Sequence, residues 1–197
     1  MSTMTNRTID YYDNNASEYC SSVNGADMTA YYTRFLKYVP KGGSIIDLGC
    51  GSGRDLKYFR DNGYDAQGLD ASQQLCVLAH EYSGCPVQCT DFLSWKPERK
   101  FDAFWANASM LHLTDKDIIT FFEEKPRYLE DNGIIYMSMK TGIMQGDDEK
   151  GRYFTPFTEN LLEGIIKVSG LRIIDRWGSS DALGRSDTRW VSVIFRA

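Results

Sequence analysis

Glycines alternate through Asp47-Leu48-Gly49-Cys50-Gly51-Ser52-Gly53, with an acid in front of them. Lacking Cβ atoms, such a run lets the backbone turn sharply and approach a ligand closely. Where it opens a helix, the free N–H groups of the first turn meet polar atoms of that ligand. Asp70 follows, and after it the pair Asp91-Phe92. A carboxylate at the first place accepts from the two hydroxyls of a ribose. At the second, Asp91 accepts from an exocyclic amine while the Phe92 ring covers an adenine face. Each feature alone also serves as an ordinary turn or helix cap. Together they are expected at one sheet edge, around one ligand.

That ligand does not read as NAD. The fingerprint G-x-G-x-x-G, counted from Gly49, asks for glycine where Arg54 stands. No Gly-Lys-Ser/Thr run occurs, so a phosphate-binding P-loop is not expected either. Of the two histidines, His112 is the candidate general base, because an imidazole titrates near neutrality. Its plainer use is packing against the helix that follows. The five cysteines are odd in number, which argues against a disulfide framework. Cys85 and Cys89 have no histidine beside them, so no metal site is expected.

The elements that must position these groups read as alternating strands and helices, the mark of βαβ units around a parallel sheet. Strands are expected at 44–48, 65–69, 86–90, 101–106, 134–139, 171–177 and 189–195. Helices are expected at 53–62, after Ser72 (with Leu75, Val77, Leu78 and Ala79 on its apolar side), at 115–129 with a break at Pro126, and at 158–169. The turn Asp131-Asn132-Gly133 leads into strand five, and Gly142 to Gly151 reads as a loop. No crossover helix joins the last two strands, so one of them runs antiparallel.

Composition sets the outer limits. With 197 residues, 42% apolar and 25% charged, the chain suits one globular domain. Its net charge of −5 and lack of a basic run give no support to nucleic-acid binding. Nothing approaches the roughly 20 apolar residues of a membrane span, and residues 1–10 do not read as a signal peptide, so a cytoplasmic protein with no membrane partner is expected.

The glycine run resembles motif I of the class I methyltransferases that use S-adenosylmethionine (SAM). Asp70, Asp91-Phe92 and Phe101-Asp102-Ala103-Phe104-Trp105-Ala106-Asn107-Ala108 resemble the motifs that follow it. Within that class, Tyr11-Tyr12-Asp13, Gly53-Arg54-Asp55 and the stretch from Asn107 to His112 look like the small tellurite-resistance (TehB-like) members. The resemblance implies an α/β, Rossmann-like sheet of order 3-2-1-4-5-7-6, with strand seven antiparallel and helices on both faces. It implies one domain over 1–197, with a core at 41–197 and a helical segment at 1–40. It also implies SAM as methyl donor and S-adenosylhomocysteine (SAH) as product. Gly49, Cys50, Gly51 and Gly53 would face the amino-acid part of SAM, with Asp47 supporting the loop. Asp70 and Ala71 would hold the ribose, and Asp91 and Phe92 the adenine. Tyr12 and Arg54 would meet the SAM carboxylate, and Asn107 would line the cleft near the sulfonium, beside His112 as the catalytic group.

Tyr11, Tyr12, Tyr19, Tyr31 and Tyr32 crowd the first 40 residues and suggest a lid that excludes water. Packing of an N-terminal helix on the sheet would use aromatics equally well. Arg152, Tyr153 and Arg185 stand where acceptor-binding insertions belong. The Asn-Pro-Pro-aromatic pattern of nucleic-acid amino-methyltransferases is absent after strand four. A small-molecule acceptor is therefore expected, with a monomer or homodimer as the working unit. The alternatives are a methyltransferase that reaches protein or RNA through a partner, a SAM-binding protein without catalysis and, more distantly, an NAD-dependent reductase.

Overall fold

The computed structural model describes residues 3–185 and 187–197. Three helices come first: α1 (Thr3–Asn14), α2 (Ala16–Val23) and α3 (Thr29–Phe35). Strands and helices then alternate as β1 (Ser44–Leu48), α4 (Arg54–Asp61), β2 (Asp65–Asp70), α5 (Gln73–Ser83), β3 (Val87–Cys89), β4 (Phe101–Asn107), α6 (Asp115–Glu124) and β5 (Leu129–Thr141). After β6 (Gly146–Asp147) and β7 (Tyr153–Phe154) come α7 (Glu159–Ser169), β8 (Arg172–Ser180) and β9 (Arg189–Arg196).

Seven strands make one sheet in the order β3-β2-β1-β4-β5-β9-β8. The first five pair in parallel, and β9 is antiparallel to both β5 and β8. This is the expected Rossmann-like topology. The two extra strand numbers come from β6 and β7, which pair with each other in the stretch expected to be a loop.

Caps explain where the helices begin. Ser72, Thr114 and Thr158 each accept a backbone N–H three residues on, satisfying one donor that the first turn leaves open. The helix expected over 115–129 stops at Glu124. Pro126 opens a short 3-10 turn instead, since its ring has no N–H to continue the ladder. Leu129 therefore starts β5, and the expected turn at 131–133 lies within that strand, with Asn132 at φ 65°. Val77, expected on the apolar side of α5, is 44% exposed.

The central strands are buried on both faces. Along β4, Phe104 and Ala106 face one core and Ala103 and Trp105 the other, because successive side chains of a strand point opposite ways. The first core is filled by Ile118, Phe121 and Phe122 of α6 and by Leu161, Leu162 and Ile165 of α7. The second receives Tyr32 and Phe35 of α3 and Leu56 and Phe59 of α4. Trp105 stacks on Tyr136 with ring centroids 4.0 Å apart. Such enclosed rings each contribute about 1.5–3 kcal/mol through burial. The sheet is therefore a rigid platform, and chain order reverses between β1 and β4. The carboxyl ends of these two strands flank the crevice where open α/β sheets bind ligands.

Candidate functional site

The turn after β1 is held by its own backbone. Gly49 and Cys50 donate to the carbonyl of Leu69, at 2.8 and 3.0 Å. Gly49 takes φ 75°, and a Cβ there would lie 2.6 Å from the Ser109 Cβ. At Gly51, φ is 54° and a Cβ would lie 3.2 Å from the Tyr19 ring. Glycine thus lets the turn lie directly against the segment after β4 and against α2. Ala108 meets the turn from the other side in the left-handed region, at φ 54°. Its N–H is held by the Ser138 hydroxyl at 2.8 Å.

Two adjoining cavities open over this turn and share Tyr12, Tyr19, Gly49, Ala108 and His112 as walls. The smaller, about 100 Å³, is lined by Gly51, Asp70, Ala71, Asp91 and Phe92. The larger, about 370 Å³, falls in the size range of small-molecule sites. It takes Cys50, Arg54 and Asn107 from the expected set. Two of the expected SAM-binding residues line neither cavity. Asp47 is buried under the turn at 2% exposure, and Gly53 packs against the backbone of Ala79 in α5.

In the smaller cavity, Asp70 accepts from the N–H of Gly51 at 3.0 Å and of Ser72 at 2.9 Å. Burial raises its pKa above the ordinary carboxylate value, and these backbone donors oppose the rise. Asp91 uses one oxygen for the N–H groups of Leu93 and Ser94, at 3.0 and 2.9 Å. Burial works against its charge, yet those donors bring its pKa below the usual value. At this wall Ser109 carries a buried hydroxyl that has no hydrogen-bond partner among the described residues.

A network missed in the sequence underlies the larger cavity. Its centre is Asp55, which accepts from Tyr32 (2.6 Å), Arg54 (2.6 Å), Trp105 (2.8 Å) and the Asn107 amide (3.2 Å). Burial opposes ionisation of Asp55, but Arg54 and these donors outweigh it and lower its pKa. Asp47, buried with Asp55 nearby, is pushed well above the carboxylate range. The carbonyl oxygen of Asn107 accepts from Ser138 at 2.8 Å, so this amide is fixed at both ends. The only hint in the sequence was that Asp55 adjoins Arg54.

His112 sits between two partners. Its Nδ1–H donates to the carbonyl of Tyr153 at 2.7 Å, which leaves Nε2 to accept from the Tyr12 hydroxyl at 2.9 Å. Burial pushes its pKa down to about 4, and burial pushes that of Tyr12 up to about 12. Near neutral pH both are uncharged, and the imidazole nitrogen able to take a proton is already occupied. Tyr12 and Tyr19 meet edge to face, with centroids 5.1 Å apart, across the junction of the cavities. Arg152 pairs with Asp148 at 2.6 Å and Arg185 with Asp181 at 2.7 Å, both arginines on the larger cavity. Tyr153 lines neither cavity and reaches the site through its carbonyl. Lys140, at the end of β5, was not singled out in the sequence and also lines the larger cavity.

Residues 45–133 match the family described as a methyltransferase domain. N-terminal Xaa-Pro-Lys N-methyltransferase 2 of Danio rerio is 27% identical over 147 residues, which cover 66% of this chain and 50% of that one. Trans-aconitate 2-methyltransferase of Yersinia pestis (strain Pestoides F) is 30% identical over 104 residues, 51% of this chain and 40% of that one. The matched stretch thus spans about half the length of these relatives or less. Among solved structures, the Burkholderia thailandensis 1,6-didemethyltoxoflavin-N1-methyltransferase, with its namesake ligand and SAH bound, superposes with a TM-score of 0.76. It is 16% identical, and the superposition covers 98% of this chain and 87% of that one. These names carry the broad class and not the tellurite-resistance subgroup. Among the described residues, no helix is long and apolar enough to cross a membrane.

Proposed function

Because residues 45–133 carry a methyltransferase domain on the fold of the class I SAM-dependent methyltransferases, we propose that this protein transfers the methyl group of SAM to a small-molecule acceptor. One observation carries the reading. The close-packed glycine turn, Asp70 and Asp91-Phe92 line one cavity, which adjoins a second cavity of acceptor size through a shared wall.

The residues present fit SAM. The turn brings Gly49 and Gly51, which carry no Cβ, to the wall of the smaller cavity, where among the described residues the buried Ser109 hydroxyl lacks a partner. Asp70 would hold the ribose, already aimed by the Gly51 and Ser72 N–H groups. Asp91 would keep one carboxylate oxygen for the adenine amine, beside the Phe92 ring. Arg54, with Asp55 drawing its Nε aside, and Tyr12 would face the methionine part. When bound, SAM supplies a methyl carbon made electrophilic by its positive sulfur, and the protein supplies binding and orientation. Asn107, clamped by Asp55 and Ser138, orients groups at the junction. We assign His112 to positioning: it fixes the Tyr12 hydroxyl over the two cavities. The first 40 residues act as the lid, with Tyr12 and Tyr19 closing the cleft to water. The residues at the junction of the cavities would hold the acceptor's oxygen, nitrogen or sulfur beside the methyl group with water excluded.

The test uses methyl-labelled SAM, purified protein and either whole or dialysed cell lysate. Label in a dialysable pool, absent after dialysis of the lysate, is the expected result. Label in protein or RNA would move the acceptor to the macromolecular class. SAH titrated into the protein by calorimetry should bind, and failure to bind would reject the SAM reading itself. Slower proteolysis of the first 40 residues with SAH present is expected of a lid, and unchanged cleavage would reject it.

A further inference from the structure

The larger cavity is positive within an acidic protein. Arg54, Lys140, Lys150, Arg152 and Arg185 line it against Glu18, Asp55 and Asp181, a surplus of two cations, whereas the whole chain carries −5. The arginines are not the source of the free charge. Arg54, Arg152 and Arg185 hold Asp55, Asp148 and Asp181 within ion-pair distance. The lysines differ: among the described residues no carboxylate lies within ion-pair distance of Lys140 or Lys150, and of the two Lys150 is exposed while Lys140 is half-buried. Its ammonium rests over the rings of Phe154 at 4.5 Å and Trp190 at 5.6 Å. Burial first, and Arg185 and Arg152 after it, lower its pKa from the ordinary lysine value. Asp181 and Asp148, beyond ion-pair distance, offset this only in part. A cation kept partly out of water with no paired carboxylate is costly, and an anion in the cavity would reduce that cost.

The same cavity offers no strong proton acceptor. Tyr12 occupies Nε2 of His112, and Nδ1–H is given to a backbone carbonyl. Asp55 is saturated by four side chains, and Asp181 by Arg185 and Trp190. Glu18 is exposed at the cavity's edge. An alcohol must lose a proton as it is methylated, and an amine or thiol sheds one before or after the transfer, whereas a carboxylate carries none to lose. Charge and proton balance together favour a carboxylate.

Building on the methyl-transfer reading above, we propose that the acceptor is a small carboxylic acid, methylated on a carboxylate oxygen and held by Lys140. The oxygen forms the new bond to the methyl carbon as the carbon–sulfur bond breaks, and the electron pair of that bond stays on sulfur. A methyl ester and neutral SAH result, and no proton is released. Phe154, Trp190 and Leu111 supply apolar wall for the acceptor's carbon skeleton.

Two readouts test this. The dialysable labelled product is treated with mild alkali, which frees volatile methanol from a methyl ester but not methyl groups on nitrogen or sulfur. Alkali-labile label is expected, and alkali-stable label overturns the proposal. Separately, the protein–SAH complex is titrated by calorimetry with fumarate, citrate and trans-aconitate, each beside its neutral methyl ester. At least one acid should bind about tenfold or more tighter than its ester, the scale of one charge-assisted hydrogen bond. Lys140→Met should abolish that preference while SAH affinity holds, and Lys140→Arg should restore most of it. Equal binding of acid and ester, or a preference that survives Lys140→Met, overturns the proposal. Failure of SAH to bind defeats the methyl-transfer reading instead.

Discussion

Replacing Gly49 with alanine puts a methyl group where the structure leaves no room. The backbone there has φ 75°, and the added Cβ would stand 2.6 Å from the Ser109 Cβ. Left-handed backbone costs a residue with a Cβ about 1–2 kcal/mol. Relief of the overlap by shifting a packed loop costs about 1–3 kcal/mol more. For a chain of this size 1 kcal/mol moves Tm by about 2–4 °C, so Gly49→Ala should lower Tm by at least about 4 °C. It should also weaken SAH binding, because the loop that moves lines both cavities. The overlap part can be isolated. Ser109→Gly removes the atom that the added methyl would strike, so the double variant should regain the overlap cost and keep the backbone cost. The two substitutions should therefore be non-additive by about 1–3 kcal/mol in urea unfolding. Additive effects, or a Gly49→Ala protein with unchanged Tm and unchanged SAH affinity, would refute the reasoning about close packing between the two loops.

Asp55→Ala removes the carboxylate that four side chains share and leaves Arg54 without its ion partner. A loss of about 3–5 kcal/mol is expected, seen as a large fall in urea midpoint, and a change under about 1 kcal/mol would contradict the network. Thr158→Ala deletes the cap of α7 at a residue that lines neither cavity, and should cost about 1 kcal/mol with SAH affinity intact. His112 gives a pH signature. Its folded pKa is lowered to about 4, while an unfolded histidine titrates near about 6.5. Between these values the unfolded chain holds the extra proton, so stability should fall as pH drops through that window, by up to about 1.4 kcal/mol per pH unit. Chemical unfolding at pH 7, 6 and 5 should show a shallower fall in His112→Gln than in the parent, and parallel curves would contradict the buried neutral imidazole.

The amino-acid sequence alone determined what local chemistry dictates. The alternation of apolar runs with helical periods marked βαβ units around a parallel sheet, and the family resemblance implied the strand order. Ser72 announced a helix start because a side-chain oxygen placed there can accept the free N–H three residues on, as it does from Leu75. Asp70 and Asp91 were legible because parallel strands carry their carboxyl ends to one edge. Local rules were less exact where two signals competed. Pro126, expected to break the helix, left its α-helical part ending at Glu124, and Gly146–Asp147, inside a stretch whose glycines and acids read as loop, paired with Tyr153–Phe154 just beyond it. Tertiary structure decided the rest, since its partners lie far apart along the chain. Tyr12 meets His112 from 100 residues away, and that pairing together with burial turns an expected base into a neutral, occupied acceptor. Asp55 gathers Tyr32 from α3 and Trp105 and Asn107 from β4, two stretches far from it along the chain. Lys140 has no motif around it. It lines the cavity because β5 ends beside β4, and among the described residues it stays without an ion partner because the nearby arginines take the carboxylates. Burial and pairing set these charges, and neither is a property of a residue's neighbours in sequence.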